Sequence, residues 1–163
     1  YPDDVEPSGH LRAFLIETVD AERVNATVDA WLAHRYFPAW VYTRCLVEAG
    51  LVDVVGDRLL ASRADGAERA RLAFQHTLFV AGQMDASARF GERLFEAGGT
   101  DPIVAYNVAC AHSRAGRTDP AVRWLGTAID QGFTNRELLD GDPDLARVRT
   151  DPRFAMLRNR LPG

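Results

Sequence analysis

Thirty-four residues separate two stretches of this chain that align on each other without a gap, and that repeat limits the fold more than any other feature. Shifting 68–101 onto 102–135 superposes Ala81 on Ala115, Gly82 on Gly116, Asp85 on Asp119, Arg89 on Arg123, Gly98 on Gly132 and Thr100 on Thr134. Two glycines, a turn acid and a terminal glycine are the punctuation of a helix-turn-helix unit. A sequence period of this length means stacked supersecondary units, each burying its faces only against its neighbours.

The unit at 102–135 shows the local chemistry. Asp101-Pro102 is an N-cap followed by proline at the first helical position, where the missing N–H costs nothing. Val104, Val108, Ala111 and Ala115 recur at helical spacing, and Gly116 ends the helix where a left-handed residue is cheapest. Asp119-Pro120 reads as a second start, followed by the stripe Val122, Leu125, Ala128 and Ile129 and by Gly132 as the stop. Ala109 and Ala121, one on each helix, let the axes approach, with Val108 and Leu125 filling the seam. The unit at 68–101 reads likewise through Ala73, Phe74, Thr77 and Leu78, the turn at Gly82, then Ala86, Phe90, Leu94 and Phe95.

A weaker copy occupies 36–67, its turn glycine Gly50 out of register with Gly82 by two. Residues 1–35 hold apolar stripes for an N-terminal helix pair. Beyond 135 the period is expected to stop. There 136–163 carries helix starts at Asp142-Pro143 and Asp151-Pro152, with Leu145, Val148, Phe154, Met156 and Leu157 to cover the open end of a stack. The whole of 1–163 is read as one domain.

The stretch YNVACAHSRAGRTDPAVRWLGTAIDQGF resembles a tetratricopeptide repeat (TPR), with a small residue in the first helix, a glycine turn and an alanine early in the second. The following LLDGDPDLARVRTDPRFAMLRNRL is similar to the closing segment of bacterial TPR proteins. Gln75 and Gly91 depart from the pattern. The resemblance implies an all-α fold, a right-handed superhelix of antiparallel helix pairs, that binds a peptide or protein segment in its concave groove. It implies no catalytic residues and no cofactor. In that geometry the groove side carries Trp40 and Arg44, then Arg69, Leu72, His76 and Phe79, then Tyr106, Asn107, Cys110, Ser113 and Arg114. Such a surface suits a peptide with an apolar anchor and an acidic group, aromatics and arginine being the residue types that dominate interface energies. The opposing reading is that Trp40 and Tyr106 pack between repeats.

Composition narrows the partners. A net charge of −4 argues against nucleic acid, whose phosphates select a basic excess. All 19 basic residues are arginine, which reads either as coding bias or as a surface of planar forks suited to carboxylates. Cys45 and Cys110 are too few and too separated for a disulfide framework or a zinc site, and each sits in an apolar helical pattern expected to bury a free thiol. No apolar run approaches the roughly 18 to 20 residues of a membrane span. The expected setting is therefore the cytoplasm.

Three weaker signals carry little. Asp140, Asp142, Asp144 and Asp151 copy part of a calcium loop's spacing, but Leu145 stands where the sharp turn wants glycine. His10, His34, His76 and His112 form no metal-binding pair, and His112 reads as a packing residue. Ser113 lacks a nucleophile turn. Because Tyr1 and not Met opens the chain, the alternative to a free-standing binding module is a regulatory or scaffolding domain of a larger bacterial enzyme or membrane protein. Self-association through the N-terminal face is a third reading.

Overall fold

The computed structural model describes residues 50–162, which are all-helical: seven α-helices and two 3-10 turns, with no strand among the described residues. Numbered from the first described residue, the helices are α1 Val52–Ala61, α2 Ala67–Val80, α3 Met84–Glu96, α4 Pro102–Arg114, α5 Thr118–Asp130, α6 Arg136–Gly141 and α7 Pro152–Arg158. The 3-10 turns span Pro143–Leu145 and Val148–Thr150. Among these residues no helix is long and apolar enough to cross a membrane. Contacts divide the chain into two compact units, Tyr1–Ala81 and Gly82–Gly163, and each is described by itself. The expected N-terminal helices at 1–35 and the first half of the copy at 36–67 lie outside the described residues.

In the first unit α1 and α2 pack on each other, and Val55 and Leu59 of the first and Phe74 and Leu78 of the second are fully buried. The end of α1 is closed by a side chain from its neighbour. Arg71 Nε donates to the Leu59 carbonyl at 2.9 Å, and its Nη2 donates to the carbonyls of Leu60 at 3.1 Å and Ser62 at 2.7 Å. A guanidinium there satisfies orphan carbonyls and meets the negative end of the helix dipole.

In the second unit α4 is the central element. Ten consecutive residues, Val104–Ser113, are buried, because α3, α5 and the Pro143–Leu145 turn all pack on it. Ala109 and Ala121 are completely buried where α4 meets α5, with Val108 and Leu125 filling the seam between them. Val108 and Leu125 each contribute about 1.5–3 kcal/mol on burial. The helices α3 and α5 also touch, through an edge-on contact of Phe95 and Trp124 with ring centroids 5.1 Å apart.

Local signals account for the helix ends. Asp101 Oδ1 accepts from the amides of Ile103 at 2.8 Å and Val104 at 3.2 Å. Gly116 adopts φ +76°, and around it the Arg117 amide reaches the His112 carbonyl at 2.9 Å while the Gly116 amide reaches Ser113 at 3.0 Å. This paired closure is a Schellman motif, and Gly98 and Gly132 end α3 and α5 in the same way.

Two boundaries differ from expectation. The helix α5 begins at Thr118 with Arg117 before it, so Asp119 lies inside the first turn and does not cap. Pro120 is tolerated there because the first-turn amides have no acceptor within the helix. The spacing also does not end at 135. Met84 and Thr118 open α3 and α5, Pro102 and Arg136 open α4 and α6, and Thr118 and Pro152 open α5 and α7. The step between starts is the same in all three pairs. What disappears is residue identity, because Pro143 breaks the first helix of the tail into α6 and two 3-10 turns while the caps Asn135 and Asp151 keep the starts in place. The tail buries Leu139, Leu145, Val148, Phe154 and Leu161. Met156 is 62% exposed, so it is not part of the cover.

Candidate functional site

The residues expected to line a groove fall into three groups. Trp40 and Arg44 lie outside the described residues. On α2, Arg69 and His76 are exposed and Leu72 and Phe79 half-buried. Their spacing of three and four residues puts all four on one helical face. On α4, Tyr106, Asn107, Cys110 and Ser113 are buried, and only Arg114 at the helix end is exposed.

The tail buries the α4 face. The Schellman turn at Gly132 delivers Phe133 onto Tyr106, the two rings stacking at 4.5 Å and 8°. The Tyr106 hydroxyl donates to Asp142 Oδ2 at 2.7 Å, and the Cys110 thiol donates to the same oxygen at 3.7 Å. Asp142 Oδ1 meanwhile accepts from the Asp144 amide at 2.9 Å, and Arg149 holds the Asp142 carbonyl at 2.6 Å. Burial, first, and then the neighbouring thiol and carboxylate push the Tyr106 phenol well above its ordinary value. Burial and the charge of Asp142 do the same to the Cys110 thiol. Asp142 reads from sequence as a cap and as one acid of a partial calcium-loop spacing, and its bond to Tyr106 shows only once α4 lies beside it.

A second polar cluster joins α3, α4 and the turn before α5. His112 Nε2 lies 2.7 Å from Glu92 Oε1, Arg117 Nε donates to His112 Nδ1 at 2.9 Å, and Arg117 Nη1 donates to Asp85 at 2.5 Å. The hydrogen bond and charge of Arg117 hold the Asp85 carboxyl below its ordinary value. Both ring nitrogens of His112 are therefore occupied. The Ser113 hydroxyl beside it in sequence is buried with no hydrogen-bond partner among the described residues.

The four tail acids do not converge. Asp140 makes a two-point pair with Arg158 at 2.6 Å, Asp151 pairs with Arg153 at 2.7 Å, and Asp144 faces Arg114 at 3.6 Å. The Arg153 hydrogen bonds hold Asp151 down at about 2, whereas burial raises Asp144. Among the described residues no three His, Cys, Asp or Glu side chains are grouped to hold a metal ion. Arginine serves carbonyls as well as carboxylates here: Arg71, Arg136 and Arg149 each donate to main-chain oxygens. A planar fork reaches two carbonyls at once, which a lysine point charge does not.

No protein-family model matches the chain, and no curated protein or solved structure is significantly similar to it. The described residues form an all-helical fold, and the residues themselves carry any functional reading.

Proposed function

We propose that this chain is a protein-protein interaction module of the TPR type that holds a peptide or protein segment along the exposed face of α2. The observation that carries the reading is the row Arg69, Leu72, His76 and Phe79 on one helical face, the cation and the polar ring exposed and the two apolar groups half-buried. The equivalent positions in the next copy, Tyr106, Cys110 and Ser113, are buried on α4. A peptide with an apolar anchor between Leu72 and Phe79 and an acidic group near Arg69 fits this row. Arginine and aromatic groups are the anchors on which such interfaces depend. The regular recurrence of helix starts supports the stacked-pair architecture that this mode of binding uses.

Affinity capture with the intact chain, followed by crosslink mapping of the bound segment, tests the reading. Crosslinks should fall on α2, and replacing Arg69, His76 and Phe79 together by alanine should weaken capture at least tenfold. A partner that binds the folded triple variant with unchanged affinity would show that α2 is not the site.

A further inference from the structure

We propose that His112 is a pH-sensitive latch that holds the Arg117 side chain in the junction of α3, α4 and α5 only while its ring is neutral. Arginine keeps all its protons, so the bond from Arg117 Nε requires Nδ1 of His112 to accept. The ring proton then sits on Nε2 and is donated to Glu92 across 2.7 Å. The tautomer is set by its two partners, and the ring is buried on α4 with its side chain 8% exposed.

A second proton has one place to go. Taken up from solvent at Nδ1, it turns the acceptor of the Arg117 bond into a donor. Two N–H groups then face each other over 2.9 Å, one on an imidazolium and one on a guanidinium. The charged and titratable groups facing the ring are Glu92 and Asp85 from α3, with Arg89 also acting on Asp85, and Arg117 from the turn before α5. Glu92 attracts the charged ring and keeps it seated. Arg117 is repelled, and it is the member of the pair with a route outward, its side chain being 39% exposed. Its Nη1 bond to Asp85 provides a pivot, so Nε leaves the ring while the hold on α3 is retained. The main chain is not involved, since the Arg117 amide stays bonded to the His112 carbonyl at 2.9 Å.

The experiment is nitrogen-15 NMR of the full chain from about pH 8 to about pH 5. Ring couplings should report the Nε2–H tautomer at the upper end, together with an Arg117 Nε–H signal protected from solvent exchange. That protected signal should vanish with the same midpoint at which the His112 ring takes up its proton. In His112→Gln the amide oxygen can accept from Arg117 but does not titrate, so the signal should persist to the lowest pH. An Nδ1–H tautomer in the neutral ring would overturn the proposal. So would an Arg117 signal indifferent to ring protonation, or the same pH response in a folded His112→Gln chain. The wild-type measurement decides the matter even if that variant does not fold.

Discussion

The Tyr106 hydroxyl and the Asp142 carboxylate, 36 residues apart, meet at 2.7 Å and tie the middle of α4 to the tail. The same carboxylate accepts the Cys110 thiol and caps the 3-10 turn that it begins. One side chain thus closes a tertiary contact and starts a local element. Replacing Asp142 by alanine removes the acceptor and leaves a buried phenol unpaired. The expected loss is about 2–3 kcal/mol, read from urea unfolding. An asparagine amide has one accepting oxygen, so Asp142→Asn keeps the bond from Tyr106 or the cap on the Asp144 amide but not both, and should lose less than Asp142→Ala. Equal losses in the two variants would mean that the charge and the second accepting oxygen matter and the shape of the side chain does not.

Cys110 should be nearly inert in the native chain, since burial and the charge of Asp142 both oppose formation of the thiolate. In a Cys45→Ser background, labelling by a disulfide reagent should run roughly a hundredfold slower in buffer than in urea. Asp142→Ala should label faster than the parent in buffer. Rapid native labelling of the parent would show that the tail does not shield α4.

Acid should weaken the carboxylate–arginine pairs of the second unit. Asp151, held at about 2 by Arg153, and Asp140 and Asp85, lowered by Arg158 and Arg117, are all depressed in the folded chain. A carboxylate depressed on folding contributes stability above its unfolded value near 3.9, and that contribution fades as pH falls toward the folded value. The melting temperature should therefore decline between about pH 4 and about pH 2, and Arg153→Met should remove part of that slope. These groups are exposed, so added salt should flatten the curve as well. An acid slope identical in the Arg153→Met chain would assign the decline to other groups.

Arg71 holds three carbonyls at the end of α1, two of them through one nitrogen. Arg71→Lys keeps the charge but not the fork and should cost about 1 kcal/mol. Arg71→Met, which leaves the carbonyls without any donor, should cost about 1–3 kcal/mol. Hydrogen exchange at Leu59 to Ser62 would localise the change to that helix end. An unaltered exchange pattern in Arg71→Met would mean that solvent replaces the fork without loss.

Much of the helix layout is legible from Asp101-Pro102, Asp151-Pro152 and the glycines at 82, 98, 116 and 132, because a cap or a left-handed stop acts within four or five residues. Asp119-Pro120 misleads by two residues. There the helix starts directly after the Schellman turn, with Arg117 at the cap position, so the acid is left over for Arg153 at 2.7 Å. The tail misleads in another way. Its residue identities leave the repeat pattern at Pro143, yet α6 and α7 start on schedule because their caps survive.

The groove assignment is where sequence periodicity reaches its end. Leu72 and Tyr106 are equivalent by the repeat shift, as are His76 and Cys110. Periodicity says which side of a helix these residues share, but not whether water or another segment lies against it. The repeat by itself determined the helices, their turns and the apolar stripes, since all of these follow from interactions between near neighbours in the chain. Only the tertiary structure decided that Phe133 and Asp142 cover Tyr106 and Cys110, while Arg69 and His76 remain exposed. Burial is a property of what the chain brings back from tens of residues away, and no local pattern encodes it.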